Sequence, residues 1–445
     1  MTVATRPLVT RPVVDPSRWP DLASSRARIR GGVERRLARR VFRSVTARLP
    51  LRVELPDGSL MGGAAQDPDA PVMRVHQPDE FFEALGSSGL IGFGESYMAG
   101  DWDAPDLARV LQVFAARVAT LIPAPLQRLR ALYVAHRPAA EQGTSANART
   151  NIARHYDLSN DLFASFLDDT LSYSSALFDD RQVVGEPMAG EAITVSTPRA
   201  NAQWHDLAPA QQRKVDRVLD AAGVAQGTRL LEIGTGWGEL AIRAAARGAR
   251  VTTITLSSEQ QALTRQRIAD AGFADRVQVL LLDYRAVKGE YDAVVSVEMV
   301  EAVGHQFWTD YARALDRLLA PGGRVVIQAI TMPHDRMLAT RNTWTWINKY
   351  IFPGGFLPST QALDEVTRRH TTLRLVERLS FGQHYAQTLR LWDERFLSRL
   401  DRLRGLGFDE VFHRMWHFYL EYSRAGFQSG YLDVQQLVFT REIAG

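Results

Sequence analysis

Cysteine is absent from the 445 residues. Disulfides, thiolate metal sites and a cysteine nucleophile are therefore excluded, and the chain fits a cytosolic protein. No run approaches ~18 consecutive apolar residues, so no transmembrane helix is expected. The N-terminus lacks the apolar core of a signal peptide. No nucleic-acid recognition motif is present, so no nucleic-acid partner is expected. Internal repeats and low-complexity tracts are also missing. What remains is ordinary for a globular protein, with 45% apolar and 23% charged residues. The length suggests two or three domains.

The net charge is only +3, but it is unevenly placed. Residues 1–50 hold twelve Arg against Asp15, Asp21 and Glu34, so this segment carries +9 and the remainder −6. Val33, Leu37, Val41, Val45 and Leu49 recur every four residues, with Arg35, Arg36, Arg39, Arg40, Arg43 and Arg48 between them. On a helix this gives an apolar stripe with basic flanks. Two readings are open: a helix lying on an anionic membrane, or one packed on the protein with a solvated basic face.

Residues 1–21, rich in Pro, are expected to be disordered or extended. A small α+β domain is expected over 22–135, with a strand pair around "LRVELPDGSLMGG" turning at Pro56, Asp57 and Gly58. The polar stretch 136–150 reads as a linker, and 181–205 as a long surface loop. From about 207, strands alternate with helices, which predicts a parallel sheet covered on both faces. The catalytic domain is taken as 151–445.

"LLEIGTGWG" closes the first of these strands and opens a helix. Gly234 and Gly236 let a ligand approach the backbone, and the helix start offers free N–H groups. A dinucleotide site expects an acid at the end of the second strand. That strand instead ends in Thr255 and Leu256. Glu232 precedes the glycines, and Asp283 ends the third strand. This arrangement resembles a class I methyltransferase: an α/β, doubly wound (Rossmann-like) sheet that binds S-adenosylmethionine.

The motifs "HYDLSNDLF", "LSYSSALF", "LLEIGTGWG", "TLSSEQQ", "DYR", "SVEMVEAVG" and "WINKYIFPGGFLPS" occur in that order. Together they resemble the cyclopropane-fatty-acid synthase family from about residue 80 to the C-terminus. The resemblance implies methyl transfer from S-adenosylmethionine to the cis double bond of an oleoyl-type acyl chain in a membrane phospholipid. It implies a peripheral, cytoplasmic-face location. Tyr173 and Ser174 would line the donor pocket. Gly234, Gly236 and Gly238 would approach its amino-acid part and ribose. Thr255, Leu256 and Gln260 would flank the ribose, and Asp283, Tyr284 and Arg285 the adenine. The family also implies a bicarbonate ion as base, held by Glu301, Tyr385 and the main chain at Ser175 and Ile330.

Two positions depart from the family pattern: Ser175 stands for a cysteine, and Gln328 for a histidine that contacts the base. Gln328 lies in "RVVIQAI", a buried-strand pattern, where an unpartnered amide costs ~1–3 kcal/mol. Gln can donate to an anion but carries no charge, which makes a bicarbonate site less favourable. The product expected is therefore a methylene branch (10-methylene stearate, a tuberculostearic precursor), which a separate reductase would saturate. Cyclopropane formation is the alternative, and a small soluble methyl acceptor a second. Trp344, Trp346, Tyr350, Phe352 and Phe356 could face a cationic intermediate or simply fill a core. His155 reads as a structural hydrogen-bonder rather than a base. A homodimer is left open.

Overall fold

The computed structural model describes residues 8, 11–27, 32–117, 159–185 and 191–441. The expected linker, 136–150, and His155 lie outside them. The chain forms two compact units. One comprises Met1–His136, Thr343–Ile351 and Trp392–Tyr431; the other comprises Arg137–Asn342, Phe352–Leu391 and Leu432–Gly445.

This differs from contiguous domains at 22–135 and 151–445, because two later segments belong with the N-terminal unit. The helix Glu410–Gln428 packs on the helices Pro78–Met98 and Leu107–Ala115. Within that contact Arg414, 2% exposed, donates to the carbonyls of Tyr97 at 2.6 Å and Trp102 at 2.9 Å. Likewise Lys349 and Tyr350 donate to the buried Glu95 at 2.6 and 2.7 Å. Trp19 also takes part in this unit, since its Nε1 donates to Asp409 at 2.8 Å.

The first unit holds a small sheet of β1 (Arg52–Glu54), β2 (Leu60–Met61), β3 (Val72–Val75) and β4 (Trp102–Asp103), in the order β2-β1-β3-β4. β1 and β2 form the expected antiparallel pair. The basic helix spans Gly32–Thr46 and buries Ala38, Phe42 and Thr46. Phe42 packs edge-on against Phe81 and Phe82. Val33, Leu37 and Val41 are instead 79%, 57% and 37% exposed. A four-residue spacing drifts around a helix of ~3.6 residues per turn. The stripe therefore starts in solvent, with Val33, Leu37 and Val41 beside the exposed Arg36, Arg40 and Arg43, and turns inward through half-buried Val45 to buried Leu49. No described helix is long and apolar enough to cross a membrane.

The second unit is built on nine strands: β5 (Asp180–Val184), β6 (Ala192–Pro198), β7 (Arg229–Ile233), β8 (Arg250–Thr255), β9 (Val277–Leu281), β10 (Tyr291–Val297), β11 (Leu319–Thr331), β12 (Leu373–Ser380) and β13 (Asp433–Arg441). Their order is β5-β6-β12-β13-β11-β10-β7-β8-β9. The segment 181–205, read as a loop, contains the antiparallel pair β5 and β6 at the sheet edge. Their β-branched residues (Val183, Val184, Ile193, Thr194, Val195) outweigh the Gly and Pro around them. The five strands from β11 to β9 are parallel, and adjacent residues point to opposite faces. Leu231 and Val325 enter one core, Leu230 and Val326 the other. Both faces are thus buried, as parallel sheets require.

The chain leaves β7 toward β8 and β9, then returns to place β10 on the other side of β7. That reversal opens a crevice at the carboxyl ends of the strands, where such sheets bind ligands.

Candidate active site

A cavity fills this crevice. Its lining includes Tyr173, Ser174, Lys214, Glu232, Gly234, Gly236, Thr255, Leu256, Gln260, Asp283, Tyr284 and Glu298. A larger, open depression at the opposite strand ends, near Arg229, Arg250 and Val277, lies away from this chemistry.

The glycine turn follows β7 directly. Gly234, Gly236 and Gly238 have φ of +98°, +54° and +93°, which side-chain-bearing residues rarely adopt. A Cβ at Gly236 would meet nothing within 4 Å, whereas one at Gly238 would meet Thr264 at 2.8 Å. Gly236 therefore borders free space, and Gly238 is needed for packing against the helix Ser258–Asp270.

The cavity suits a cationic nucleoside. Glu232, 4% exposed, has its carboxyl pushed up to about 8 by desolvation, even though Thr253 donates to it at 2.6 Å. A cation placed nearby relieves such a burial. Thr255 Oγ1 donates to Gln260 Oε1 at 2.8 Å, fixing both at the end of β8. Asp283 accepts from Arg285 Nε at 2.8 Å and Nη2 at 2.6 Å. Ser174 Oγ accepts from Lys214 Nζ at 2.6 Å. Tyr173 packs edge-on against Phe163 at 5.0 Å. Most residues assigned to the donor are thus brought together around one cavity, Gly238 and Arg285 lying outside its lining, and the set fits S-adenosylmethionine. That group supplies an activated methyl on a sulfonium centre.

The residues assigned to a bicarbonate ion behave differently. Glu298, just past the end of β10, accepts from Ser175 N at 2.9 Å, Gln328 Nε2 at 2.8 Å and Tyr385 Oη at 2.7 Å. Glu301 accepts from Ile330 N at 2.5 Å. The four expected donors therefore serve two carboxylates of the chain itself. A further anion would face the Glu298 carboxylate and find the donors already taken, so these residues do not fit a bicarbonate ion. The Ser175 side chain bonds the Ala176 carbonyl instead.

Glu298 was missed in the sequence, although it lies in the motif "SVEMVEAVG". Its φ is +50°. A non-glycine residue held there is strained, and such strain concentrates at functional sites. Lys214 was also missed. It is 2% exposed, faces Glu298 and Glu232, and is lowered to about 8 by desolvation.

Register explains Gln328. It stands level with Val297 of β10 and opposite Gln436 of β13. Its Oε1 accepts from Gln436 Nε2 at 3.0 Å. Gln436 Oε1 in turn accepts from Arg217 Nη1 at 2.7 Å, and Arg217 is paired with Glu377. This relay fixes the amide so that its N–H points at Glu298.

The two carboxylates are not equivalent. Burial pushes both up. Glu301 reaches about 8 through desolvation and the neighbouring Glu298 charge. Its Oε2 is shielded from solvent and accepts no hydrogen bond among the described residues. Glu298 has three donors that favour its ionised form. Two adjacent carboxyls with unlike surroundings separate into one acid and one base.

Not all expectations meet here. Trp346 packs against Gly94 and Phe418, and Tyr350 bonds Glu95, both within the first unit. Phe356 stacks on Trp308. These rings have packing roles.

A glycine turn at the switch point, a carboxylate-lined crevice and a doubly wound sheet define a class I S-adenosylmethionine-dependent methyltransferase. Residues 144–437 match the family described as mycolic acid cyclopropane synthetase, and the chain belongs to that family. It is 54% identical over 429 residues to the tuberculostearic acid methyltransferase of Mycobacterium tuberculosis, covering 96% of each chain. It is 31% identical to the cyclopropane-fatty-acyl-phospholipid synthase of Escherichia coli, covering 86% of this chain and 91% of that one. Among solved structures, a mycolic acid cyclopropane synthase complexed with SAH and CTAB aligns at TM-score 0.56 and 28% identity, over 68% of this chain and 98% of that chain.

Proposed function

We propose that this enzyme methylates a cis double bond of an unsaturated acyl chain in a membrane phospholipid and yields a methylene-branched chain. The carrying observation is the buried acid–base cluster beside the donor crevice, with neutral Gln328 where the family pattern has a histidine. The name of the 54% identical relative supports the same product class.

An alkene is a weak nucleophile, so the glycine turn and Tyr173 must hold donor and acceptor in line. Methyl transfer leaves a carbocation on the acyl chain, and a closed site keeps out water that would quench it. A hydride shift to the neighbouring carbon, followed by proton loss from the new methyl, gives the methylene branch. Direct proton loss with ring closure gives cyclopropane. A rate ratio of 100 between these fates needs only ~2.7 kcal/mol. One hydrogen bond to a charged base is of that size, ~1.5–3 kcal/mol. A separate reductase would saturate the product.

The helix Gly32–Thr46 is read as the membrane contact, because its free apolar stripe lies beside Arg36, Arg40 and Arg43. Such a face suits an anionic lipid surface.

The test uses vesicles whose acyl chains are deuterated at both alkene carbons. Migration of one deuterium to the neighbouring carbon in a 1,1-disubstituted methylene product is expected. A cyclopropane ring retaining both deuteria in place would refute the product. Activity on soluble acceptors alone would refute the lipid substrate.

A further inference from the structure

We propose that Glu298 is the built-in base of this enzyme and that its carboxylate replaces the exogenous anion implied by the family resemblance. The inference rests on the proposed acyl-chain methylation and deepens it.

Three observations carry it. First, the donors from Ser175, Gln328 and Tyr385 converge on the Glu298 carboxylate at 2.7–2.9 Å. They come from three separate parts of the chain: the loop before β5, the strand β11 and the helix Gly382–Leu397. Second, Glu298 lines the donor cavity, whereas Glu301 is not among the lining residues. Third, Glu298 sits at φ +50°, a strained conformation for a residue that carries a side chain. A side chain needed only for packing would be better served by glycine there.

The chemistry balances without an added ion. The alkene π pair forms the new C–C bond to the methyl carbon, and the C–S pair stays on sulfur. After the hydride shift the charge rests on the methylated carbon. A C–H bond of the new methyl then breaks: its proton goes to a Glu298 oxygen and its electron pair forms the C=C between that carbon and the methylated chain carbon. The carboxylic acid so formed releases its proton to solvent before the next turnover. Gln328 is a positioning residue in this scheme, since its amide holds the carboxylate and is itself held by Gln436 and Arg217.

The experiment compares wild type, Glu298→Gly and Glu298→Gln on vesicles of unsaturated phospholipid, with and without added bicarbonate in CO2-free buffer. Glycine tolerates the backbone at this position and leaves room for a small anion. Glutamine keeps the shape without the basicity. Calorimetry with S-adenosylhomocysteine verifies that each variant is folded and binds. The wild-type rate is expected to be the same in both buffers. Both variants should lose activity at least about 100-fold, the scale of a general base, with nucleoside binding retained. Bicarbonate should restore part of the activity in Glu298→Gly but none in Glu298→Gln. Wild-type dependence on bicarbonate would overturn the proposal, as would a folded Glu298→Gln variant within threefold of wild type. A wild type that makes no product from unsaturated lipid in either buffer would overturn the acyl-chain reading itself, and this inference with it.

Discussion

Replacing Gln328 with Met keeps the volume of the side chain and removes one donor from the Glu298 carboxylate. Gln328 is fully buried, at 0% exposure, and its amide lies 2.8 Å from Glu298 Oε1. A hydrogen bond to a charged acceptor is worth ~1.5–3 kcal/mol. At ~1.36 kcal/mol per pH unit, its loss raises the Glu298 pKa by ~1–2 units. The direction follows from the role. A base works ionised, so activity falls as pH drops through its pKa. Burial already holds Glu298 above the ordinary carboxylate range. The variant should therefore lose activity on the acid side at a pH ~1–2 units higher than wild type, while the alkaline plateau survives. Gln436 loses its acceptor on Gln328 but keeps the Lys214 carbonyl at 3.4 Å, so the stability cost should stay within ~1–3 kcal/mol. The assay is kcat/KM for labelled methyl incorporation into unsaturated vesicles between pH 5 and 9, with a thermal melt to verify folding. Gln436→Met should move the acid limb the same way by less. An unmoved acid limb in a folded Gln328→Met variant would refute the reasoning.

Gly236→Ala should fold with a loss of about 1–2 kcal/mol from its left-handed backbone, yet lose at least tenfold in S-adenosylhomocysteine affinity by calorimetry. Gly238→Ala, whose Cβ would strike Thr264 at 2.8 Å, should chiefly lose thermal stability. Unchanged affinity in folded Gly236→Ala would remove the donor from this crevice. Glu301 is raised to about 8 in the fold, against ~4.3 when unperturbed. The native state thus keeps a proton that the unfolded chain releases, and stability falls as pH rises through that window. Glu301→Gln should show a gain in Tm over wild type that grows from pH 5 to pH 8; a gain independent of pH would contradict this. Replacing Val33, Leu37 and Val41 by Ser, or Arg36, Arg40 and Arg43 by Gln, should weaken co-sedimentation with anionic vesicles severalfold. High salt should mimic only the Arg set, because screening acts on charge. Equal co-sedimentation of all forms would refute the helix as the membrane contact.

The sequence by itself determined the alternation of strand and helix from β7 onward, and with it the sheet's class. Buried parallel strands must be apolar runs, and the turn after β7 carries the glycines of the motif; both are local features that survive in one dimension. It also pointed to one side of the sheet for the residues assigned to the donor, because Thr255 ends β8 while Gly234 and Asp283 closely follow β7 and β9, and parallel strands end on one side. Which carboxylate takes which donor was decided only by the tertiary structure. Glu298 and Glu301 are three residues apart in one motif. Their environments are set by Ser175, Gln328 and Ile330, which arrive from distant parts of the chain. The register between β10, β11 and β13 aims the Gln328 amide, and no local pattern encodes that register. The placement of 392–431 with the N-terminal unit has the same character, since a buried Arg414 looks like any surface arginine until Tyr97 and Trp102 offer their carbonyls. The basic helix lies between these cases. Its amphipathic composition was plain, but the face that became buried was chosen by Phe42 meeting Phe81 and Phe82, which left Val33, Leu37 and Val41 in solvent.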